Sequence, residues 1–143
     1  MRNNLALFVV IDEIEGVTVM VSDQQKALEF YTEKLGFTKK LDTDESGFRW
    51  IVVGPNDSKT VISLVDPNSV KGWAEKVPEE TERRIGQPTG VWFYSKNIDQ
   101  AYLEIKSKGV EITEPKKQVW GGMLCTVYDQ DGNIFGLVGD SHD

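Results

Sequence analysis

One order of elements occurs twice along this chain, and that duplication narrows the possible folds more than any other feature. Residues 17–21 (VTVMV) are apolar and mostly β-branched, the composition of a strand buried on both faces. Ser22-Asp23-Gln24-Gln25 fits a capping box, serine followed three residues later by glutamine, and opens a helix. Ala27, Leu28, Tyr31 and Leu35 give that helix an apolar stripe, and Gly36 supplies a left-handed stop. A short strand over 37–41 follows, then strands over 48–53 and 60–65 joined by a Gly54-Pro55-Asn56-Asp57 turn.

The same β-α-β-β-β order returns. A strand over 91–94 precedes a helix capped by Asn97, with Ile98, Ala101, Tyr102 and Ile105 as its buried stripe and Gly109 as its stop. The next strand begins over 110–112, and strands over 123–128 and 134–138 flank the hairpin turn at 129–133. A shift of 74 positions maps Gly16 to Gly90, Val17 to Val91, Ala27 to Ala101 and Lys34 to Lys108; a shift of 73 fits the last strands better. The chain therefore divides into an N-terminal arm or extra strand (1–15), a first module (16–66), a linker or flap (67–89) and a second module (90–140). In the linker Trp73, Val77 and Ile85 are the few apolar anchors. The expected fold is α+β: two paired βαβββ modules forming a curved, mostly antiparallel half-barrel with helices outside.

Composition removes whole classes of function. Sixteen Lys and Arg against 23 Asp and Glu leave a net charge of −7, a poor match to a phosphate backbone or an anionic membrane. The apolar run over 5–11 is far shorter than the ~20 residues of a membrane span and reads as an extra strand or packed arm. Cys125 is the one cysteine, which fits a reducing cytoplasm. His142 is the one histidine, so a zinc site with two or three histidines cannot form within one chain, and a buried Ser–His or Cys–His couple is not expected.

Strand alternation then sorts side chains. One face of the first strand carries Val17, Val19 and Val21 and suits the helix stripe; the other carries Gly16, Thr18 and Met20 and should line a concavity. By the same rule Gly90, Trp92 and Tyr94 look inward from the fifth strand, and Ile134, Gly136 and Val138 from the last. Trp50, Trp120 and Met123 are further wall candidates. Glycine in a strand often marks close approach of a ligand or another backbone. A floor of Gly16, Gly90 and Gly136 should therefore leave room between aromatic walls. Asp12, Glu13, Glu15, Asp66 and Asp140 at strand ends are either solvated acids or an acidic rim for a cationic ligand.

The run VTVMVSDQQKALEFYTEKLGF resembles the opening of the vicinal oxygen chelate superfamily, which includes glyoxalase I, bleomycin-resistance proteins and extradiol dioxygenases. YDQDGNIFGLV is similar to that superfamily's closing signature D-P-D-G-N-x-x-E-L, and QVWGG resembles the segment ahead of it. The resemblance spans roughly residues 16–138 and implies the paired-module fold, often a homodimer, and in the enzymes a divalent metal held by His and Glu on four strands. The matching positions here are Gly16, Ser63, Gly90 (or Thr89) and Gly136, none a strong divalent ligand. The leading expectation is a cofactor-free protein that binds a small, largely apolar or aromatic molecule through Gly16, Thr18, Met20, Trp50, Ser63, Gly90, Trp92, Tyr94, Trp120, Met123 and Gly136. Behind it stand an enzyme with a displaced metal site, using Tyr94, Tyr128 or a nearby acid as base, and a ligand-free scaffold dimer.

Overall fold

The structure, a computed structural model, describes residues 10–72 and 81–141. Trp73, Val77 and His142 lie outside the described residues, as does most of the apolar run over 5–11. The first module runs β1 (Gly16–Met20), α1 (Gln24–Glu29), β2 (Thr38–Glu45), β3 (Phe48–Gly54) and β4 (Val61–Val65). The second runs β5 (Pro88–Tyr94), α2 (Ile98–Ser107), β6 (Lys116–Lys117), β7 (Met123–Tyr128) and β8 (Ile134–Gly139). Between them Pro67–Gly72 and Thr81–Arg84 form 3₁₀ turns.

Each module makes its own open four-stranded sheet, ordered β1-β4-β3-β2 and β5-β8-β7-β6. Both sheets are mixed: β1 pairs with β4 and β5 with β8 in parallel, and the remaining pairs are antiparallel. A parallel neighbour requires a long crossover, and the helix with two intervening strands supplies it in each module.

The all-valine face of β1 packs as its alternation predicts. Val19 and Val21 are buried with Ile51, Val53, Ile62 and Leu64 from the same sheet and Ala27, Leu28, Phe30 and Tyr31 from the helix. That core is continuous with Ile98, Tyr102, Cys125, Val127, Phe135 and Leu137 of the second module. Tyr31 and Phe37 meet Phe135 and Phe93 across the junction, with Phe93 stacked on Phe135 at 4.9 Å. Removing either half would expose this shared core, so the halves are one cooperative unit.

Three local expectations are corrected. Asp23, not Ser22, caps α1 by accepting the Lys26 amide at 2.9 Å. Ser22 instead donates both its amide and its hydroxyl to Asp131 of the second module, a tertiary contact outcompeting the local cap. Beyond Glu29 the helix widens into a π turn over Phe30–Lys34 before Gly36 ends it at φ 74°. Finally, the strand expected from 110–112 shrinks to a single bridge between Ile112 and Val127. There the Thr113 hydroxyl, not a backbone carbonyl, receives the Thr126 amide at 2.8 Å, and strand pairing resumes only at Lys116.

A buried polar network locks the halves together. The Asn133 amide nitrogen donates to the Met20 carbonyl and to Asp129, each at 2.9 Å, while its oxygen accepts the Gly86 amide at 2.7 Å. Asp129 also accepts the Tyr31 hydroxyl at 2.6 Å. Burial, reinforced by the Asp129 charge, holds the Tyr31 phenol well above its ordinary pKa. The turn at 129–133 is thus a hairpin whose side chains reach into the other module.

Candidate functional site

Opposite the shared core, each sheet turns its second face outward, and the two faces differ. On the first sheet, ladder register sets Thr18, Ser63, Val52 and Leu41 side by side in one row. Val61 lies beyond that row and Trp50 flanks it two residues from Val52, on the same face by alternation. These residues, with Gly16, line a cavity of about 750 Å³ whose mouth carries Glu13, Glu15, Lys40 and Lys59. That volume falls within the roughly 300–1,000 Å³ of small-molecule sites. Trp50 keeps 48% of its surface exposed, so its ring is a wall and not a core residue. Lys40 donates to the Ser58 carbonyl at 2.6 Å. The Ser63 hydroxyl is buried without a hydrogen-bond partner among the described residues.

The second sheet carries the equivalent row Trp92, Gly136 and Thr126. Here the room expected from glycine is already taken. A Cβ on Gly136 would stand 3.2 Å from Trp92 Cβ and 3.4 Å from Leu124 Cδ1. Gly16 is equally constrained, since its Cβ would lie 2.9 Å from the Val61 carbonyl oxygen. Gly90 answers a different need: it sits at φ 75° where the β5–β8 register shifts, a backbone position that L side chains avoid. Gly16 and Gly136 therefore record close packing in place of the expected room, whereas Gly90, at its bulge, has open space beside it.

Two smaller clefts lie where the modules meet. One, of about 340 Å³, holds Trp92 and Tyr94 against Val61, Ile62 and the turn after β3. The other, of about 400 Å³, is lined by Thr18, Met20, Arg83, Arg84 and Asn133. Met20 itself packs with Val65, Val70 and Ile85, so the connecting segment covers that end of the first sheet.

Of the expected site residues, the structure brings Gly16, Thr18, Trp50 and Ser63 together in the largest of these cavities. Trp92, Tyr94 and Met20 fall in the junction clefts. Gly90, Gly136, Trp120 and Met123 line none of the three. Met123 is on the wrong face: its strand buries residues 123, 125 and 127, and its side chain belongs to the shared core. Trp120 lies in the β6–β7 connection, its ring folded over Gly122, where a Cβ would collide with it.

Alternation could have nominated Val52, which shares a face with Trp50. Leu41 escaped notice because the β2–β3 register slips between Lys39 and Leu41. That Glu13, Glu15, Lys40 and Lys59 line the same cavity needs the third dimension.

The positions where the resemblance implies metal ligands can now be tested. Gly16, Gly90 and Gly136 offer no side-chain donor, and the first and third have a carbonyl or a tryptophan stem where a ligating side chain would start. Ser63 contributes one neutral hydroxyl. Among the described residues, no three His, Cys, Asp or Glu side chains converge to hold a cation. This donor set does not fit a divalent metal.

One of the suggested bases is already engaged. Tyr94 donates its hydroxyl to Asp140 at 2.7 Å, and that hydrogen bond raises its pKa, keeping the phenol protonated. Burial pushes the Cys125 thiol up to about 11, an inert thiol, not a nucleophile.

Comparisons with known proteins agree with this architecture. An uncharacterized protein, YurT, of Bacillus subtilis (strain 168) is 39% identical over 132 residues, 88% of this chain and 98% of that protein. A crystal structure of a superfamily member from Sphaerobacter thermophilus aligns with a TM-score of 0.77 at 33% identity, covering 92% of this chain and all of the other. The crystal structure of TnmS3, an antibiotic binding protein from Streptomyces sp. CB03234, aligns with a TM-score of 0.75 at 29% identity, covering 93% and 99%. The model of one family matches residues 11–137, nearly the whole described fold. The chain belongs to the Glyoxalase/Bleomycin resistance protein/Dioxygenase superfamily.

Proposed function

We propose that this protein binds a small, largely apolar or aromatic molecule on the concave face of its first module and does so without a metal. The observation that carries this reading is the cavity of about 750 Å³ walled by half-exposed Trp50 over a floor of Val52, Val61 and Leu41. An apolar floor with one aromatic wall, edged by polar and charged side chains that can orient a ligand, suits a small-molecule site. Likeness to an antibiotic binding protein over nearly the full length supports the same reading. The enzyme alternative would need a metal or a base; the metal positions supply glycine and a neutral serine, Tyr94 is engaged by Asp140, and Glu13 or Glu15 beside the cavity is the acid it would have to use.

The proposal extends to a homodimer in the cytoplasm. Val119, Trp120, Trp92 and Tyr94 are all more than half exposed in a single chain, which suits an additional contact surface. Among the described residues no helix is long and apolar enough to cross a membrane.

Tryptophan fluorescence and thermal shift, measured against a panel of planar aromatic compounds at micromolar concentration, test the reading. Binding should quench the Trp50 contribution and raise the melting temperature. A panel that does neither, or a stoichiometric divalent metal in freshly purified protein, would overturn it.

A further inference from the structure

The Ser63 hydroxyl stands out on the cavity floor. It lies mid-row on the first sheet, between Thr18 and Val52 in register, buried and without a hydrogen-bond partner among the described residues. An unsatisfied buried hydroxyl costs about 1–3 kcal/mol, so a group that satisfied it would gain selectivity as well as affinity. The neighbours say what such a group belongs to. Val52 and Val61 make the floor apolar, and half-exposed Trp50 adds aromatic surface on which a planar ring can stack. Two carboxylates (Glu13, Glu15) and two ammonium groups (Lys40, Lys59) also line the cavity, so its formal charges balance and neither sign of ligand is favoured by net charge.

We infer that this cavity selects uncharged planar aromatic molecules bearing a ring hydroxyl or ring carbonyl, with the Ser63 side chain turning its enclosed hydroxyl into the cavity to make the hydrogen bond that distinguishes them from plain hydrocarbons. This rests on the binding role proposed above for the same cavity and adds the ligand's chemical class. Ser63 occupies the step of the sheet where the second module has Gly136, which has no hydroxyl to offer.

Equilibrium dialysis of the full chain with 2-naphthol and with naphthalene provides the test. The wild-type protein should bind 2-naphthol about fivefold more tightly than naphthalene, the contribution of one net hydrogen bond. Ser63→Ala should remove that preference while leaving naphthalene affinity within about twofold, which also reports that the variant is folded. Equal binding of the two probes by the wild type, or a preference that survives in Ser63→Ala, would refute the role of Ser63 and leave the cavity reading standing. If neither probe binds, both the cavity reading and this inference fall.

Discussion

The two modules share an order of elements and a core, yet their outward faces have diverged at matching positions. Where the first sheet carries Thr18 and Ser63 side by side, the second carries Trp92 and Gly136. In the second, the tryptophan stem lies against the glycine and takes the room a side chain would need. In the first, small hydroxyl residues leave the row open beneath Trp50, and a cavity results. Duplication thus supplies a scaffold twice, while substitution at two paired positions separates the copy with the larger cavity from the other.

The turns diverge as well. Asn133 closes the β7–β8 hairpin of the second module and is buried against the first module. Its counterpart by the 73-residue shift, Thr60, is exposed and only tethers the Ile14 carbonyl. This contrast gives the largest expected effect. Asn133→Ala should destabilise the protein by about 3 kcal/mol, since it orphans the Met20 carbonyl, the Gly86 amide and part of Asp129. Thr60→Ala should cost under about 0.5 kcal/mol. Urea unfolding of both variants measures the difference, and equal costs would break the asymmetry.

Next in size is the packing of Trp92 over Gly136. Gly136→Val should cost about 2 kcal/mol, because its Cβ starts 3.2 Å from Trp92 Cβ. Combining it with Trp92→Gly, which removes that Cβ, should recover much of the loss, and a double-mutant cycle reads the coupling. Additive costs would mean that the tryptophan is not what crowds the glycine.

Alkaline pH probes the core in the same pairwise way. Cys125 occupies the strand position that Ile51 fills in the first module, each paired with a leucine of the adjacent strand. Its folded pKa of about 11 lies above the ordinary 9.0. Below pH 9 both states hold the proton and the contribution is intact. Above it the unfolded chain loses the proton first, so stability falls as pH rises toward 11. The loss should be about 1 kcal/mol by pH 10 and be relieved in Cys125→Val, as followed by melting temperature. Tyr31, also raised, adds to the decline from pH 10 upward in both proteins.

A small stability effect is also expected of Trp92→Ala. With 70% of the residue exposed, its loss should cost under about 1 kcal/mol, far from the ~3–5 kcal/mol of a buried aromatic. A larger value would mean that the ring is covered in solution, as a second copy of the chain would cover it.

Much of this was legible in the residues because alternation and glycine stops are local. The valine face of β1, the Asn97 cap and the left-handed Gly36 and Gly109 follow from a few neighbours each, and the structure holds them all. Tertiary competition defeated the rest. Ser22 left its local cap for Asp131, which is 109 residues away. Met123 looked like a wall candidate until β7 alternation turned it toward the shared core. The strand glycines pointed to empty space, yet whether a missing Cβ leaves a hole depends on what stands opposite, here Val61 and Trp92. Trp50 and Ser63 could be nominated singly; that they flank one cavity needed the register of three strands.

The indole N–H signals of Trp50 and Trp92, followed in a two-dimensional proton–nitrogen spectrum as 2-naphthol is added, put the contrast between the modules to the most direct test. The Trp50 signal, assigned by its disappearance in Trp50→Phe, should move in a saturable way while Trp92 stays in place. Movement of Trp92 with a stationary Trp50 would contradict the account and put the site on the other half.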